Sequence, residues 1–373
     1  MNRLIIIGNG FDLAHGYETR YDQFIVAYFN EVIGKLKNQS DYEDEFLSIK
    51  NVNNLNRLIE LNSNGQLLSL FSSEDYKYFG IDSKDPFFLL LVRKSYTKWV
   101  DIEIEYFDAL SKIVSQNGKI IIDSVADEII QLNQSLTNIK KYFIDYLSQL
   151  KELNQHEPIR EMEELFKWPL IVNDLRPSTD LFGFGIHSIE ENNDYIEREE
   201  IDNICILNFN YTNTTSSYLK GGFIEIFIHG NINDYSSVIM GYSNINSIVY
   251  NSIIDKENLE LSQHFKYEQY SNNYYLFQLR QFLNSGRFQV FSIGHSLGKS
   301  DQDILSEIVN HEKICGFNIF HYDKNGDNLK DYKTKRMSLM KYFKDQDIAN
   351  QIIIPFDRKK NIPQKEFLET KGQ

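Results

Sequence analysis

The feature that most constrains this chain is a set of short apolar runs, each closed abruptly by glycine or polar residues. The first, Arg3–Ile7 (RLIII), is followed at once by Gly8-Asn9-Gly10. Similar runs return in the C-terminal half: 204–210 (ICILNFN), 225–230 (EIFIHG), 237–242 (SVIMGY), 288–296 (FQVFSIGHS), 316–323 (GFNIFHYD) and 351–356 (QIIIPF). Short runs with little polar alternation suit strands buried on both faces. The helical stretches between them, such as 301–312, suit covering layers. The expected fold class is therefore α/β, built on a mostly parallel sheet.

The middle of the chain has a different texture. From about residue 17 to 175, apolar residues recur at three- and four-residue spacing. Examples are 21–36, the stretch from Pro86 through 99–114, and 125–150. Pro86 suits the first turn of a helix, where its missing N–H is not needed. Only 119–123 (KIIID) reads as a short strand. The expected organisation is an α/β domain from 1–16 plus 200–373, with 17–199 as a mainly helical insertion. There is no internal repeat and no low-complexity tract.

Composition excludes several function classes. With 42% hydrophobic and 25% charged residues, the 373-residue chain can bury a real core. A formal net charge of −14 repels phosphate backbones, so no general nucleic-acid binding is expected. Two cysteines, Cys205 and Cys315, supply neither a disulfide framework nor a cysteine-rich zinc site, and no metal is expected. The N-terminal apolar segment is too short for a signal-peptide core. The longest apolar run, Phe87–Val92, falls well below the roughly 20 residues that cross a bilayer. The expectation is a cytoplasmic protein with no membrane association.

Four runs end in residues capable of chemistry. In a parallel sheet these ends face the same way, and ligands bind open α/β sheets outside the carboxyl ends of the strands. After the first run, Gly8, Asn9, Gly10, Phe11 and Asp12 form either a phosphate- or ribose-contacting turn or a tight strand-to-helix turn with Asp12 as N-cap. After the second, Asn208 and Asn210 are either site amides or caps of a helix starting near Thr212. His229, beside Gly230, is either a general base or a satisfied structural histidine. His15 reads as a supporting or purely structural residue. Gly294-His295-Ser296-Leu297-Gly298 reads as a nucleotide loop, or as the G-x-S-x-G elbow of a serine hydrolase with Ser296 as nucleophile. The second option lacks partners. Only His311 and His321 follow Ser296, and Asp301 and Asp303 lie on the very next helix, leaving no separate acid-bearing strand.

Together these pieces resemble the AbiH family of phage abortive-infection proteins. The N-terminal IIIGNGFDLAHG…TRYDQF is the most specific part, followed in order by NFNYTNT, IHG and GHSLGKSD. Trp99, Asp101 and Glu103 also look like that family's pattern, although a helix face with one core tryptophan is the plainer account of them. AbiH proteins in turn resemble the sirtuin-like NAD-binding fold, a Rossmann-like sheet. Gly8-Asn9-Gly10 stands at that fold's G-A-G turn, Asn210 at the asparagine of its T-x-N-x-D motif, His229-Gly230 at its H-G, and Gly294–Leu297 at its G-T-S-L loop. Thr212 replaces that motif's aspartate, Asp12 replaces a small residue, and the cysteine zinc module is missing. These departures argue against protein deacylation.

The resemblance implies hydrolysis of NAD to nicotinamide and ADP-ribose as part of phage defence. It makes Asn210 and His229 the catalytic residues. Contacts to the nucleotide would come from Gly8 through Asp12, Thr212, Gly230, Gly294, His295, Ser296 and Leu297. NAD is then a substrate, with no metal required. ADP-ribosyl transfer fits the same residues, as does a non-catalytic nucleotide-sensing or protein-interaction module. A toxic activity needs gating, which points to a phage-derived trigger, a homo-oligomer, or the helical insertion acting as lid, sensor or assembly surface.

Overall fold

The run after Met1 becomes the middle strand of a five-stranded, wholly parallel sheet. The computed structural model describes residues 1–50, 52, 54–63, 65–97, 100–116, 118–150, 157–170, 174–176, 201–322 and 328–365. The strands are β1 (Asn2–Ile7), β2 (Ile204–Asn208), β3 (Ile224–Phe227), β4 (Phe288–Ile293) and β5 (Ile314–Ile319). Their order across the sheet is β3-β2-β1-β4-β5. The chain therefore builds outward from β1 on one side, then returns and builds outward on the other. The order reverses between β1 and β4.

Burial explains why β1 lacks alternation. Leu4, Ile5, Ile6 and Ile7 are all fully buried, because helices cover both faces. Leu4 and Ile6 join Cys205, Leu207 and Val290 under the helices Tyr275–Ser285, Gln302–Val309, Asn328–Met340 and Gln346–Ile352. Ile5 and Ile7 join Ile206, Phe291 and Ile293 on the other face, under Phe11, Met162, Phe166 and Tyr218. Each fully buried side chain of this kind contributes about 1.5–3 kcal/mol relative to exposure.

Register places the strand ends at one level. Ile7 pairs with Asn208 and with Ile293, and Asn208 pairs with Phe227. The residues just beyond them, Gly8, Phe209, Ile228 and Gly294, therefore begin four loops on the same edge of the sheet.

The chain divides into two compact units. The sheet unit comprises 1–17, 150–239 and 269–373; the second comprises 18–149 and 240–268. This division runs differently from the expected boundary. The helix Arg160–Phe166 packs on the sheet, while 240–268 goes with the second unit. That unit is mainly helical, with Tyr21–Leu36, Pro86–Thr97, Ile102–Val114 and Ala126–Gln149 as its longest helices. It also holds an unexpected three-stranded antiparallel sheet of Tyr42–Glu43, Leu47–Ile49 and Ile81–Ser83. Asp44 makes its first turn. One carboxylate oxygen accepts from the Phe46 and Leu47 amides, the other from the Tyr28 and Tyr42 hydroxyls, all at 2.7–2.8 Å.

Several expected elements are corrected. The run 237–242 is not a strand. It leaves a short 3₁₀ turn at Tyr235–Ser237 and meets the β3 loop through the Ile239 amide on the His229 carbonyl at 2.8 Å and the Asn231 amide on the Ser237 hydroxyl at 3.1 Å. The run 351–356 begins as the last turn of a helix, Gln346–Ile352, because Asp345 caps it through the Asp347 and Ile348 amides and Ala349 and Ile352 share its buried face. Only Ile353 bridges to β5. The continuous pattern from Pro86 to Val114 is two helices, the second starting at Asp101, whose carboxylate accepts from the Glu103 and Ile104 amides at 3.1 Å. The strand at 119–123 shrinks to Lys119–Ile120, paired with Ser115–Gln116. Asp323, at the end of the run 316–323, lies outside the described residues.

Candidate functional site

The site is built from the four loops that leave β1, β2, β3 and β4. The β1 turn and the β4 loop are locked together by backbone. The Gly10 amide donates to the Gly294 carbonyl at 2.8 Å, and the Phe11 amide donates to the Gly8 carbonyl at 2.8 Å. Gly294 has a left-handed φ of 73°, and a Cβ there would lie 2.3 Å from the Phe11 nitrogen. A Cβ on Gly10 would lie 2.7 Å from the Gly294 carbonyl oxygen, and one on Gly8 equally close to His295. The glycines thus have a packing reason of their own: any side chain would separate the two turns.

Asp12 does not cap its helix. The helix Asn9–Ala14 has Gly8 at its N-cap, and Asp12 lies inside it, fully buried. One of its carboxylate oxygens accepts from the Thr212 hydroxyl at 2.7 Å, and the Thr214 hydroxyl donates to Thr212 at 3.3 Å. Burial pushes the carboxyl up to about 6, against hydrogen bonding from Thr212, Thr214 and Asn210 that favours the charged form. This explains the pairing of Asp12 with Thr212: the hydroxyl gives the buried acid a donor. A second carboxylate there would repel it.

The β2 end is tied to the β1 turn. The Phe209 amide donates to the Ile7 carbonyl at 2.9 Å, and the Asn210 side-chain amide nitrogen donates to the Gly8 carbonyl at 3.2 Å. That second bond fixes how the Asn210 side chain is turned and leaves Oδ1 as its acceptor. Asn208 is consumed structurally. Its oxygen accepts from the Asn210 backbone at 2.9 Å, and its nitrogen donates to Thr215 and Glu225. Burial raises the Glu225 carboxyl, and these donors partly offset it.

His229 and His295 converge on one carboxylate. His229 Nε2 lies 3.1 Å from Asp301 Oδ1, and His295 Nε2 lies 3.4 Å from Asp301 Oδ2. Phe209 packs against both rings, at 5.1 Å and 4.4 Å between centroids. The Leu297 amide donates to His295 Nδ1 at 2.9 Å, so in the neutral ring the proton sits on Nε2, facing Asp301. All three polar residues are buried.

Sequence reasoning read Asp301 only as an acid too close to Ser296. No local signal marks its role: it ends the 3₁₀ turn Lys299–Asp301 that leads into the helix Gln302–Val309, and its side chain makes no cap bond.

The other candidate positions divide plainly. Phe11 and Leu297 are core side chains, one on each face of the sheet. Leu297 has a left-handed φ of 54°, and its carbonyl accepts from the Tyr342 hydroxyl at 3.1 Å. Asn9 is half-buried and Gly230 buried, its amide donating to the Phe227 carbonyl at 2.9 Å. Ser296 is exposed, between buried His295 and buried Leu297. Among the described residues its hydroxyl meets no histidine, and His321 is turned to the Asp357 carbonyl at 2.9 Å. His15 is structural. Its Nδ1 donates to the Phe11 carbonyl at 2.7 Å, so its Nε2 accepts from the Tyr218 hydroxyl, also at 2.7 Å. Asp101 and Glu103 belong to the second unit, where Glu103 accepts from Lys266 at 2.7 Å and from the Gly241 amide at 3.0 Å. Trp99 lies outside the described residues. Among the described residues no cluster of three or more metal-ligating side chains is placed to hold an ion. No described helix is long and apolar enough to cross a membrane.

Fold and site define the class: a parallel α/β protein whose strand ends gather an asparagine, two histidines and an aspartate around interlocked glycine turns. The chain belongs to the bacteriophage abortive infection AbiH family, whose model matches residues 4–323. Phage defence by abortive infection is the role that membership carries. No curated protein matches the chain.

Proposed function

We propose that this AbiH chain hydrolyses NAD to nicotinamide and ADP-ribose at the carboxyl ends of β1 to β4, through Asn210 and His229. The observation that carries the reading is topological. The strand order β3-β2-β1-β4-β5 reverses between β1 and β4, and open parallel α/β sheets bind ligands outside the strand ends at such a reversal, which supports the sirtuin-like reading. Here that point is flanked by the β1 turn, the β4 loop, and Asn210 and His229 beyond the next two strands.

The chemistry follows from the groups present. Asn210 Oδ1, its amide turned by the Gly8 carbonyl, accepts a hydrogen bond from water and holds it in line with the ribose C1′. His229 takes the water's proton as the oxygen bonds to C1′. The C1′–N bond breaks with its electron pair leaving on nicotinamide, a good leaving group. The exposed Ser296 hydroxyl and the half-buried Asn9 contact the nucleotide. Asp12 and Thr212, where the chain departs from the sirtuin-like pattern, favour a second reading, a non-catalytic nucleotide-sensing or protein-interaction module.

The test is purified protein incubated with NAD, reading nicotinamide and ADP-ribose by chromatography. Wild type releases both in equal amounts. His229→Ala and Asn210→Ala each lower turnover about 10²–10⁴-fold while the protein stays folded. If both act on one step, the double variant is little worse than either single one. Tight binding of NAD with no nicotinamide released would favour the sensor.

A further inference from the structure

Two histidines facing one carboxylate place strict demands on where their protons sit. Asp301 is buried among them, with Oδ1 3.1 Å from His229 Nε2 and Oδ2 3.4 Å from His295 Nε2. An ionised carboxylate only accepts, so each facing nitrogen must carry a hydrogen; two lone pairs at this distance would repel. For His295 the same assignment comes independently from the other side of the ring, where Nδ1 accepts the Leu297 amide at 2.9 Å. For His229 it follows from the carboxylate oxygen that its Nε2 faces. The contact is at ion-pair distance rather than an aligned hydrogen bond in this state. Asp301 closes the 3₁₀ turn Lys299–Asp301 that runs into the helix Gln302–Val309, and its side chain makes no cap bond there.

We infer that Asp301 is a positioning residue that holds His229 in the Nε2–H tautomer, so that Nδ1 is the nitrogen that takes the proton during NAD hydrolysis. The base role rests on the function proposed above; the tautomer rests only on the three side chains. In the step itself, a water O–H proton passes to His229 Nδ1. The water oxygen bonds C1′, and nicotinamide departs with the electrons of the C1′–N bond. The imidazolium so formed then has its Nε2–H against Asp301, which stabilises the positive charge and loses no proton of its own. The Nδ1 proton is later released to solvent. A carboxylate that orients an imidazole in this way fixes which nitrogen is basic, and replacing such an aspartate by asparagine in a serine protease lowers kcat about 10⁴-fold through the wrong tautomer.

The same logic makes Asp301→Asn a sharp test. An asparagine offers one acceptor and one donor where aspartate offers two acceptors. His295 is pinned by Leu297 and still needs the acceptor, so the new amide N–H₂ is left facing His229 Nε2. His229 must then accept there and move its proton to Nδ1, which removes the base.

The experiment uses the full chain labelled with ¹⁵N-histidine. Resonances are assigned by comparing His229→Gln and His295→Gln spectra, and tautomers are read from the ring nitrogen shifts at a pH where both rings are neutral. Wild type should show Nε2–H on both. In Asp301→Asn, His229 should switch to Nδ1–H while His295 does not, and NAD turnover should fall about 10²–10⁴-fold with NAD affinity within a few-fold. A wild-type His229 protonated on Nδ1, or an Asp301→Asn protein in which His229 keeps Nε2–H, overturns the inference. If the asparagine variant does not fold, the wild-type spectrum alone still decides the tautomer. A wild type that releases no nicotinamide but shows the expected tautomers would sink the NAD reading and leave the role of Asp301 standing.

Discussion

The β1 and β4 loops and the β2 and β3 ends carry the same written signature, an apolar run closed by glycine or polar residues, yet they are built on opposite principles. At β1 and β4 the glycines are spent on each other. Gly8, Gly10 and Gly294 let two backbones meet, and the close contacts are between main-chain atoms. At β2 and β3 the polar side chains are the structure: Asn210 on the Gly8 carbonyl, and His229 on Asp301. One pair of loops makes a rigid floor; the other sets functional groups upon it. The lesson is that a glycine next to a site need not touch a ligand to be indispensable.

Substitutions should separate the two kinds of loop, and the largest effect is expected at His229. His229→Ala should remove about 3–5 kcal/mol of transition-state stabilisation, seen as turnover, in a protein that stays folded. Gly294→Ala should invert that pattern. A Cβ 2.3 Å from the Phe11 nitrogen at a left-handed φ should lower unfolding stability by about 2–4 kcal/mol in denaturant titrations. If Gly294→Ala instead left stability untouched and abolished only NAD binding, the floor would be a ligand cradle.

Asp12 lies between the two loop pairs, and pH reads it. Its folded carboxyl is raised to about 6 from 3.8, so the stability tied to its protonated form is fully present below about pH 4. That stability is lost as pH rises through about 6. Asp12→Asn should therefore stabilise the protein at pH 7.5 by up to about 3 kcal/mol. The gain should vanish as pH falls from 6 toward 4, followed by thermal melts across that range. A pH-independent gain would show that Asp12 is ionised throughout. The smallest effect is expected at Ser296. Because the residue is exposed, Ser296→Ala should change stability by less than about 0.5 kcal/mol. Loss of one hydrogen bond should weaken NAD binding roughly threefold to tenfold, measured by calorimetry.

Much of this was legible in the sequence. β1 announced itself because a central strand covered on both faces needs an unbroken apolar run, and the same signal marked β2, β4 and β5. The strand ends carrying Asn210 and His229 followed from parallel geometry. What was not legible depends on contacts distant in sequence. The strands at Tyr42–Glu43 and Leu47–Ile49 are too short to show alternation, and their turn is organised by Asp44 gathering tyrosines from elsewhere. The run 351–356 carried strand-like isoleucines, but a capping aspartate at 345 carries the helix into it. Asp301 was visible as a residue and invisible as a partner, since nothing local shows that an N-cap side chain turns away from its own helix. The pairing of Asp12 with Thr212 is likewise a relation across 200 residues that reads, in sequence, as two unrelated departures.

The central claim is that the β2 and β3 ends perform NAD hydrolysis in phage defence. The most direct measurement is the NAD content of phage-infected cells expressing either this chain or its His229→Ala variant at matched levels. NAD should collapse after infection with the wild-type chain, with nicotinamide and ADP-ribose rising, and should hold steady with the variant. Infected cells that abort with NAD intact, or an equal collapse in both strains, would contradict the account.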